Sequence, residues 1–517
     1  MSFLVKQKSG NNTYVYEVES YWDKEKKQPR QHKKIIGKID PVTGKIVPTR
    51  KNKVKTTKDY GSVYFLEKIS KQLKLDNLLK EIFGDDSKKI LYLAYYLISE
   101  NSSLHLFEQW ISGVSIEKSS LSKLKNITSQ KLSVFLSKIG VSDDKIFSFF
   151  ELWISQYEHK EGIFYDISSI SSYSEKNEYV ERGYNRDHES LNQVNVGMLY
   201  SKESELPLRY DITPGSITDV VTLKRIIEYN EAIGLKKDIL YIVDKGFFSR
   251  KNLEKEFKNH NVIIPLSFST NLSKELLEVS KKKLEKLENM FLYNDSVYYF
   301  NKLEKDIYGK KYDFYVMRDY KKHEAKKGSF YKKILEIESY FLKNEFKNIE
   351  DMKEELVIVA KSYKKFFKIS NDLKFEKNIK NINKEIERFG TIILFTNIKN
   401  MDNNKIIQEY RSKDRVEQMF HSMKHNLDFK RMKIHKADTM KGKFFILFIA
   451  LIIDTHILNI KTKSKNKKIK KYTRKEIIKE MKKIKETTFT TSLTQISDLT
   501  KKAKDLFKEF NIELPKT

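Results

Sequence analysis

The chain has 517 residues, of which 100 are lysine or arginine and 70 are aspartate or glutamate, so its formal net charge is +30. It contains no cysteine, which excludes disulfides and cysteine-ligated zinc sites and is consistent with a reducing cytoplasm. The first residues, MSFLVKQKSGNN, lack the apolar core of a signal peptide, and the length allows three or four domains.

The positive charge predicts attraction to polyanions such as nucleic acid, but it is modest support. Nearly all of it is lysine, with 13 arginines in the whole chain, and an A+T-rich genome also imposes abundant Lys, Asn and Ile. Three of the few arginines, Arg411, Arg415 and Arg431, lie close together. Where arginine is rare, that concentration says more than the total charge.

Two regions are predicted before the first acidic motif. Residues 1–57 alternate strand-like stretches with turn signals, which predicts a small β unit. Residues 58–156 have apolar positions at helical spacing, with Thr128 and Ser142 as N-caps, and predict a helical domain. That domain is a candidate for DNA binding; a bundle that stabilises the core is an equally good interpretation.

The next segments predict strands that end in carboxylates. Asp166 closes a short apolar run before a Ser-rich turn, and Asp244 closes the β-branched run Ile239 to Val243 before the flexible Gly246. Between them we predict the strands Val194 to Tyr200 and Leu206 to Ile212, then a helix from Asp219 to Asn230. Further strands are expected at Val262 to Leu266 and Thr391 to Thr396.

The segment from Tyr410 to Lys424, YRSKDRVEQMFHSMK, is predicted as one amphipathic helix. At about 100° per residue, Tyr410, Lys413, Glu417 and Lys424 share one face beside an apolar stripe. A carboxylate held among cations and a phenol suits a metal-binding acid whose substrate carries phosphates. Alone, the pattern also fits an ordinary helix with a solvated charged face.

After this helix, the apolar run Phe444 to Ile453 is too short to span a membrane and predicts a buried helix, so no membrane partner is expected. Residues 461–517 are predicted as a basic, mainly helical tail that begins as a linker.

The Tyr-x2-Lys-x3-Glu-x6-Lys spacing resembles the signature of DDE insertion-sequence transposases of the insertion sequence four group, with Lys413 where that family usually has arginine. Arg411 and Arg415 flank this departure. Two other segments are similar to family motifs: Gly183, Tyr184 and Asp187; and Pro214, Gly215 and Asp219.

The resemblance implies an α/β fold with a ribonuclease H-like catalytic core over residues 157–266 and 397–460. Glu417 follows Asp244 by 173 residues, too far for a loop, and the resemblance implies an insertion domain at 267–396, mostly separate from the catalytic sheet.

By the same resemblance, Asp166, Asp244 and Glu417 are the catalytic acids and the ligands of two Mg²⁺ ions, with Mn²⁺ as a substitute. Tyr410, Arg411, Lys413, Arg415 and Lys424 are the expected DNA-binding residues. The implied partners are the terminal inverted repeats of the element, target DNA and a second copy of the chain on DNA, in a bacterial cytoplasm.

Three alternatives remain open from the sequence. A metal-dependent nuclease of the same fold differs only in its nucleophile. A catalytically inactive derivative would bind DNA without cutting it, and a basic structural protein would carry the three acids by chance. The intact acids argue against the second, and their ordered strand and helix context argues against the third.

Overall fold

The structure is a computed structural model of the chain. It describes residues 2–516 apart from 24–25, 48, 50–52, 118–123, 125–126, 158–161, 218–223, 225–226, 231, 233–238 and 428. The predicted helix from Asp219 to Asn230 therefore lies mostly outside the described residues.

In the first third of the chain, a block of strands is followed by a block of helices. The first strands are separated by turns at Gly10 and Gly44, whereas apolar residues at three- and four-residue spacing produce the helices that follow. The elements are β1 (Ser2–Ser9), β2 (Asn12–Asp23), β3 (Gln28–Ile39), β4 (Ile46–Val47), β5 (Val54–Asp59), α1 (Gly61–Gln72), α2 (Leu75–Phe83), α3 (Ser87–Glu100), α4 (Phe107–Gly113), α5 (Ser129–Gly140) and α6 (Asp143–Ser155).

The remaining elements form a mixed α/β region and a short tail. They are β6 (Ile163–Ser172), β7 (Gln193–Ser201), β8 (Pro207–Pro214), β9 (Leu240–Ile242), β10 (Asn261–Pro265), α7 (Asn271–Ser280), β11 (Met290–Tyr293), β12 (Ser296–Ile307), β13 (Lys310–Asp319), α8 (Tyr320–Lys343), α9 (Ile349–Ala360), β14 (Phe367–Ile369), β15 (Phe375–Lys377), α10 (Ile379–Ile386), β16 (Thr391–Thr396), α11 (Asn403–Arg411), α12 (Asp414–His421), β17 (Arg431–Met432), α13 (Ala437–Lys463), α14 (Lys467–Lys471), α15 (Arg474–Met481), β18 (Lys485–Phe489), β19 (Thr494–Ile496) and α16 (Lys501–Glu509).

The chain forms two compact units. The first comprises residues 1–72, 107–126 and 460–517, and the second comprises residues 73–106 and 127–459. The region predicted as one helical domain, residues 58–156, is thus divided between the two units.

The second unit is built on a large mixed sheet that carries the order β8-β7-β6-β9-β10. In this half, β7 is antiparallel to both of its neighbours, whereas β6, β9 and β10 are mutually parallel. This is the strand order and direction expected of a ribonuclease H-like core. The predicted α/β class is confirmed.

The insertion is less separate than predicted. Beyond β10 the sheet continues in the order β16-β13-β12-β11, every added strand antiparallel to its neighbour. The predicted strand Thr391 to Thr396 is β16, and it pairs with β10 through Ile263 and Thr396. Because β10 offers an open edge, the strands of residues 290–319 and 391–396 extend the catalytic sheet. The expected separation is therefore wrong for these strands.

The helical part of the same segment has a core of its own. Apolar residues of α8, α9 and α10 bury one another, and the short pair β14 and β15 closes the group. Its buried members include Phe330, Ile334, Phe341, Leu356 and Ile382. The domain boundaries assigned from the sequence remain predictions.

Helix α13 is the apolar centre of the second unit. Among the described helices it is the one long and apolar enough to cross a membrane, yet 72% of its most apolar window is buried inside the molecule, as in a core helix. It crosses α5 where Gly140 and Gly442 meet; a Cβ on Gly442 would lie 1.9 Å from the Leu136 carbonyl oxygen. The predicted buried helix is confirmed, although it is longer than the run Phe444 to Ile453.

In the first unit, the N-terminal residues form the antiparallel sheet β1-β2-β3-β4, as predicted for a small β unit. The tail is not only helical, because β18 pairs with β19 and with β5. Helix α15 begins with a capping box between Thr473 and Glu476, and α1 approaches it closely at Gly61, where a Cβ would lie 2.3 Å from the Met481 carbonyl oxygen.

Candidate active site

Asp166 lies in the middle of β6, not at its end as predicted. The strand continues through the Ser-rich segment because the serines are buried and hydrogen-bonded: the Ser171 hydroxyl accepts from Asn185, and the Ser172 hydroxyl donates to the Met432 carbonyl. Asp166 is opposite Met198 of β7, and one of its carboxylate oxygens accepts a hydrogen bond from the Ile167 backbone at 3.0 Å.

Asp244 follows β9, as predicted, and begins a 3-10 turn over Lys245–Phe247. β9 is the parallel neighbour of β6 in the sheet. Side chains on adjacent strands lie within reach of one another, so the carboxylates of Asp166 and Asp244 come together just beyond the end of β9. The Asp244 side chain is 38% exposed, which leaves that point open to solvent.

Lys413 lies between these two carboxylates. Its Nζ atom is 3.5 Å from Asp166 Oδ1 and 3.6 Å from Asp244 Oδ1, and the residue is only 5% exposed. The family resemblance implies that Lys413 contacts phosphates, and in this structure its ammonium is the counter-ion of two aspartates.

The positive charge of Lys413 offsets the negative charges of Asp166 and Asp244. Burial raises the pKa of Asp166, the ammonium of Lys413 acts to lower it, and the charge of Asp244 raises it further. Burial would lower the pKa of Lys413, but Asp166 and Asp244 outweigh burial and raise it. A positive charge beside a buried carboxylate favours its ionised form.

Glu417 is not brought into the same contact. Its side chain is exposed on α12, although its charge acts on both Lys413 and Tyr410. No group of three acidic or histidine side chains in the described part of the chain is placed to hold a metal ion. The structure therefore brings together Asp166 and Asp244, two members of the predicted triad. The third member, Glu417, lies one helical turn after Lys413 in the chain.

The cause is a break in the predicted helix. α11 ends at Arg411, α12 starts at Asp414, and a π-helical turn covers Ser422–Asn426. At the break, the amide of Lys413 donates to Tyr410 O at 3.1 Å, an i to i−3 bond that tightens the turn. This turn buries Lys413 while Glu417 stays at the surface.

The other predicted DNA-binding residues have different surroundings. Lys424 is 7% exposed and its Nζ is 2.8 Å from Asp187 Oδ2, and Arg415 pairs with Glu205. Arg411 is 3.8 Å from Asp319, and Tyr410 is half-buried, its pKa raised by burial. Lys413, Arg415 and Lys424 would have to exchange a carboxylate for a phosphate to bind DNA, so their roles stay predictions.

The two additional motifs meet through their glycines. A Cβ on Gly183 would lie 1.9 Å from the Gly215 carbonyl oxygen, so only glycine allows this approach of the two backbones. The contact positions the loop that carries Asp187, the partner of Lys424. Asp219, from the second motif, lies outside the described residues.

A cleft beside Asp244 contains residues that sequence reasoning missed. It has a volume of about 850 Å³ and includes Tyr410 and Arg411, together with residues of the insertion. The additional charged or aromatic ones are Lys245, Phe268, Lys274, Lys322, Lys326 and Arg388. In a chain this rich in lysine, no sequence signal separates them from other surface cations.

A comparison with protein families places the chain in one of them. The family described as transposase DDE domain matches residues 158–453, more than half of the chain. This chain belongs to the DDE transposase family. Membership implies phosphoryl transfer on DNA, and DDE transposases generally use divalent metal ions.

No curated protein matches the sequence. Among solved structures, this DDE transposase is similar to a chain of the cryo-EM structure of a piggyBac transposase synaptic complex with hairpin DNA, at 11% identity and a TM-score of 0.35, over 81% of this chain and 78% of that one. We base no assignment on that likeness.

The donor set suits a divalent metal. Asp166 and Asp244 supply hard carboxylate oxygens around one position, which the ammonium of Lys413 occupies in this structure. Asp166, Asp244 and, after a rearrangement of its exposed side chain, Glu417 are the residues that would hold the ion. Such an ion would polarise a phosphodiester and lower the pKa of a bound water or hydroxyl.

Proposed function

We propose that this DDE transposase cuts the ends of a bacterial insertion sequence and joins them to target DNA, with Asp166, Asp244 and Glu417 as its catalytic acids. The observation that carries the proposal is the convergence of Asp166 and Asp244, from neighbouring strands, on one buried cationic position. The order of the three acids along the chain also supports it.

In this reaction the protein fixes the positions of the catalytic carboxylates and neutralises their charge. Asp166 is fixed by its strand and by the Ile167 amide, and Asp244 by the turn after β9. Lys413 neutralises both carboxylates. With a divalent ion bound by the aspartates, its ammonium would be available to contact a substrate phosphate. We propose Mg²⁺, with Mn²⁺ as a substitute, in two ions per site, and action in the bacterial cytoplasm.

The test uses the full chain and a duplex that carries the inverted repeat found beside the gene. With Mg²⁺, the parent should cut this duplex and join the cut end to a second DNA. Glu417→Gln keeps the size of the side chain but removes the charge of a metal ligand, so cutting should fall by about 100-fold or more while binding of the duplex survives.

Asp414→Asn is the matched control, because Asp414 is also exposed and lies in the first turn of α12. It should cut at close to the parental rate. If Glu417→Gln cuts as well as the parent, the assignment of the acids is wrong. If the parent cuts but never joins ends, the protein is a nuclease of this fold.

A further inference from the structure

The cleft beside Asp244, here called the basic cleft, is lined by the segments 265–269 and 388–392, by α7 and α8, and by the end of α11. Among its described lining residues, Asp244 is the one carboxylate, and the cations are Lys245, Lys274, Lys322, Lys326, Arg388 and Arg411. Six cations and one carboxylate, next to the proposed catalytic acid Asp244, favour binding of an anionic ligand that extends past Asp244.

Most of these cations are free to bind a ligand. In the described part of the chain, carboxylate partners within 4 Å are found for Arg388, at 3.8 Å from Glu385, and for Arg411, at 3.8 Å from Asp319. Lys245, Lys322 and Lys326 are exposed. Lys322 and Lys326 are four residues apart and so lie one helical turn apart on the face of α8 that borders the cleft.

The wall that carries these two lysines is rigid. Asp319 caps α8 by accepting a hydrogen bond from the Lys322 amide at 2.9 Å, and His323 Nδ1 is 2.8 Å from the Phe389 carbonyl oxygen. Gly390 has a φ of +66°, and a Cβ there would lie 2.7 Å from both Asp319 O and His323 N. A glycine is thus required where β16 begins, and the helix start is held against that strand.

The basic cleft also offers aromatic surfaces. Phe268 is half-buried, and the Arg388 guanidinium lies 5.9 Å from its ring centroid. Lys326 lines a second cavity of about 560 Å³, whose wall contains Phe330, Tyr363 and Phe366. Cationic grooves with interleaved aromatic rings bind single-stranded nucleic acid, because unstacked bases cover the rings while lysines contact phosphates.

We propose that the basic cleft binds a single DNA strand next to the scissile phosphate, with Lys322 and Lys326 on its phosphates and Phe268 against a base. The proposal rests on the proposed function, which places the reacting phosphate at Asp244. A volume of about 850 Å³ is that of a small-ligand pocket and accepts a nucleotide-sized segment.

The test measures binding of a fluorescent single-stranded oligonucleotide of mixed sequence to the full chain by anisotropy, at several salt concentrations and with a chelator present to prevent cutting. The double variant Lys322→Gln/Lys326→Gln should lose about tenfold in affinity. Its salt dependence should become shallower by about 1.4 log units per decade, since each phosphate contact to a single strand contributes about 0.7. Phe268→Ala should lose about fivefold or more, with the salt dependence unchanged.

The matched control is Lys321→Gln/Lys332→Gln, which removes the same charge from exposed positions on another face of α8. Equal losses in the two double variants would overturn the proposal, as would a loss confined to a duplex of the same sequence. Because this assay needs neither metal nor cutting, it stands apart from the Glu417→Gln test: normal cutting by that variant would reject the catalytic assignment and leave the binding result in place.

Discussion

At the scale of single residues, Lys413 has the most consequential position. One ammonium within 3.6 Å of two carboxylates supplies one of the two positive charges that a divalent ion would provide. The family signature usually has arginine here, and a lysine is a more compact charge on a more flexible stem. We therefore expect the Lys413 side chain to leave the space between the aspartates more readily than an arginine would.

Removing this charge should destabilise the metal-free protein. In Lys413→Ala, Asp166 and Asp244 repel each other without a counter-ion, so the free energy of unfolding in a chelator should fall by about 1–3 kcal/mol, less than for a fully buried pair because Asp244 is partly exposed. Mg²⁺ should restore more stability to the variant than to the parent. Thermal unfolding with and without Mg²⁺ measures both effects.

Lys413→Arg is the control for this experiment, since it keeps the charge and should keep the stability. A Lys413→Ala protein as stable as the parent in chelator would show that the two aspartates do not need Lys413 as their counter-ion.

At the scale of helices, two glycines provide a matched pair of opposite effects. Gly442→Ala should lower the free energy of unfolding by about 1–3 kcal/mol or more, because its Cβ would lie 1.9 Å from the Leu136 carbonyl oxygen at the crossing of α5 and α13. Gly328→Ala in α8 meets nothing within 4 Å and should stabilise by about 0.5–1 kcal/mol. Chemical denaturation followed by circular dichroism compares them; two losses of equal size would contradict the described helix crossing.

The start of α1 gives a prediction that depends on pH. Asp59 is buried, and Ser62 donates to it from its amide and its hydroxyl; burial raises the pKa of Asp59 above its usual 3.8. Because the pKa of Asp59 is raised in the folded state, ionisation of this carboxyl lowers the free energy of unfolding. The loss of stability begins above pH 3.8 and is complete above the folded-state pKa. Asp59→Asn keeps an acceptor without the charge, so it should be more stable than the parent at pH 7.

That advantage should disappear as the pH falls below about 3.8, where the parent carboxyl is neutral in both states. Asp59→Ala loses the hydrogen bonds as well and should cost about 1 kcal/mol. Hydrogen exchange of the α1 amides across this pH range reports both variants. An Asn variant that gains stability on acidification, relative to the parent, would show that the sign is wrong.

The elements also show what the sequence could and could not predict. Local patterns predicted strands β7, β8, β9, β10 and β16, the helices of residues 58–156 and the buried helix α13, because alternation and apolar spacing are properties of neighbouring residues. The break before Asp414 and the continuation of β6 through its serines depend on partners far along the chain, such as Asp166 and Met432. β16 pairs with β10, a strand more than 120 residues earlier in the chain. The sequence of neither strand could therefore predict that the sheet extends into the insertion.

The candidate site follows the same division. The two aspartates and the signature helix were located because their motifs are short, and the resemblance supplied their roles. The counter-ion role of Lys413 and the cations of the basic cleft depend on where segments far apart in the chain meet, and lysine is too common in this sequence to stand out.

At the scale of the whole molecule, a chain with a net charge of +30 should bind DNA in many places, so the number of chains on a specific end is the more informative quantity. In its described residues, each chain has one pair of converging aspartates. Moving an element requires two ends to be cut and joined, and hence two such sites held together. The proposed function therefore predicts a complex of two chains with two ends.

Mass photometry of the Glu417→Gln variant, which should bind ends without consuming them, tests this prediction. With inverted-repeat duplex, the dominant species should have the mass of two 61.4 kDa chains and two duplexes. A duplex of the same length and composition with a scrambled repeat is the control, and it should give a spread of stoichiometries set by charge alone. A single chain on each repeat duplex, under conditions in which the parent joins ends, would mean that the two sites need not be held in one complex.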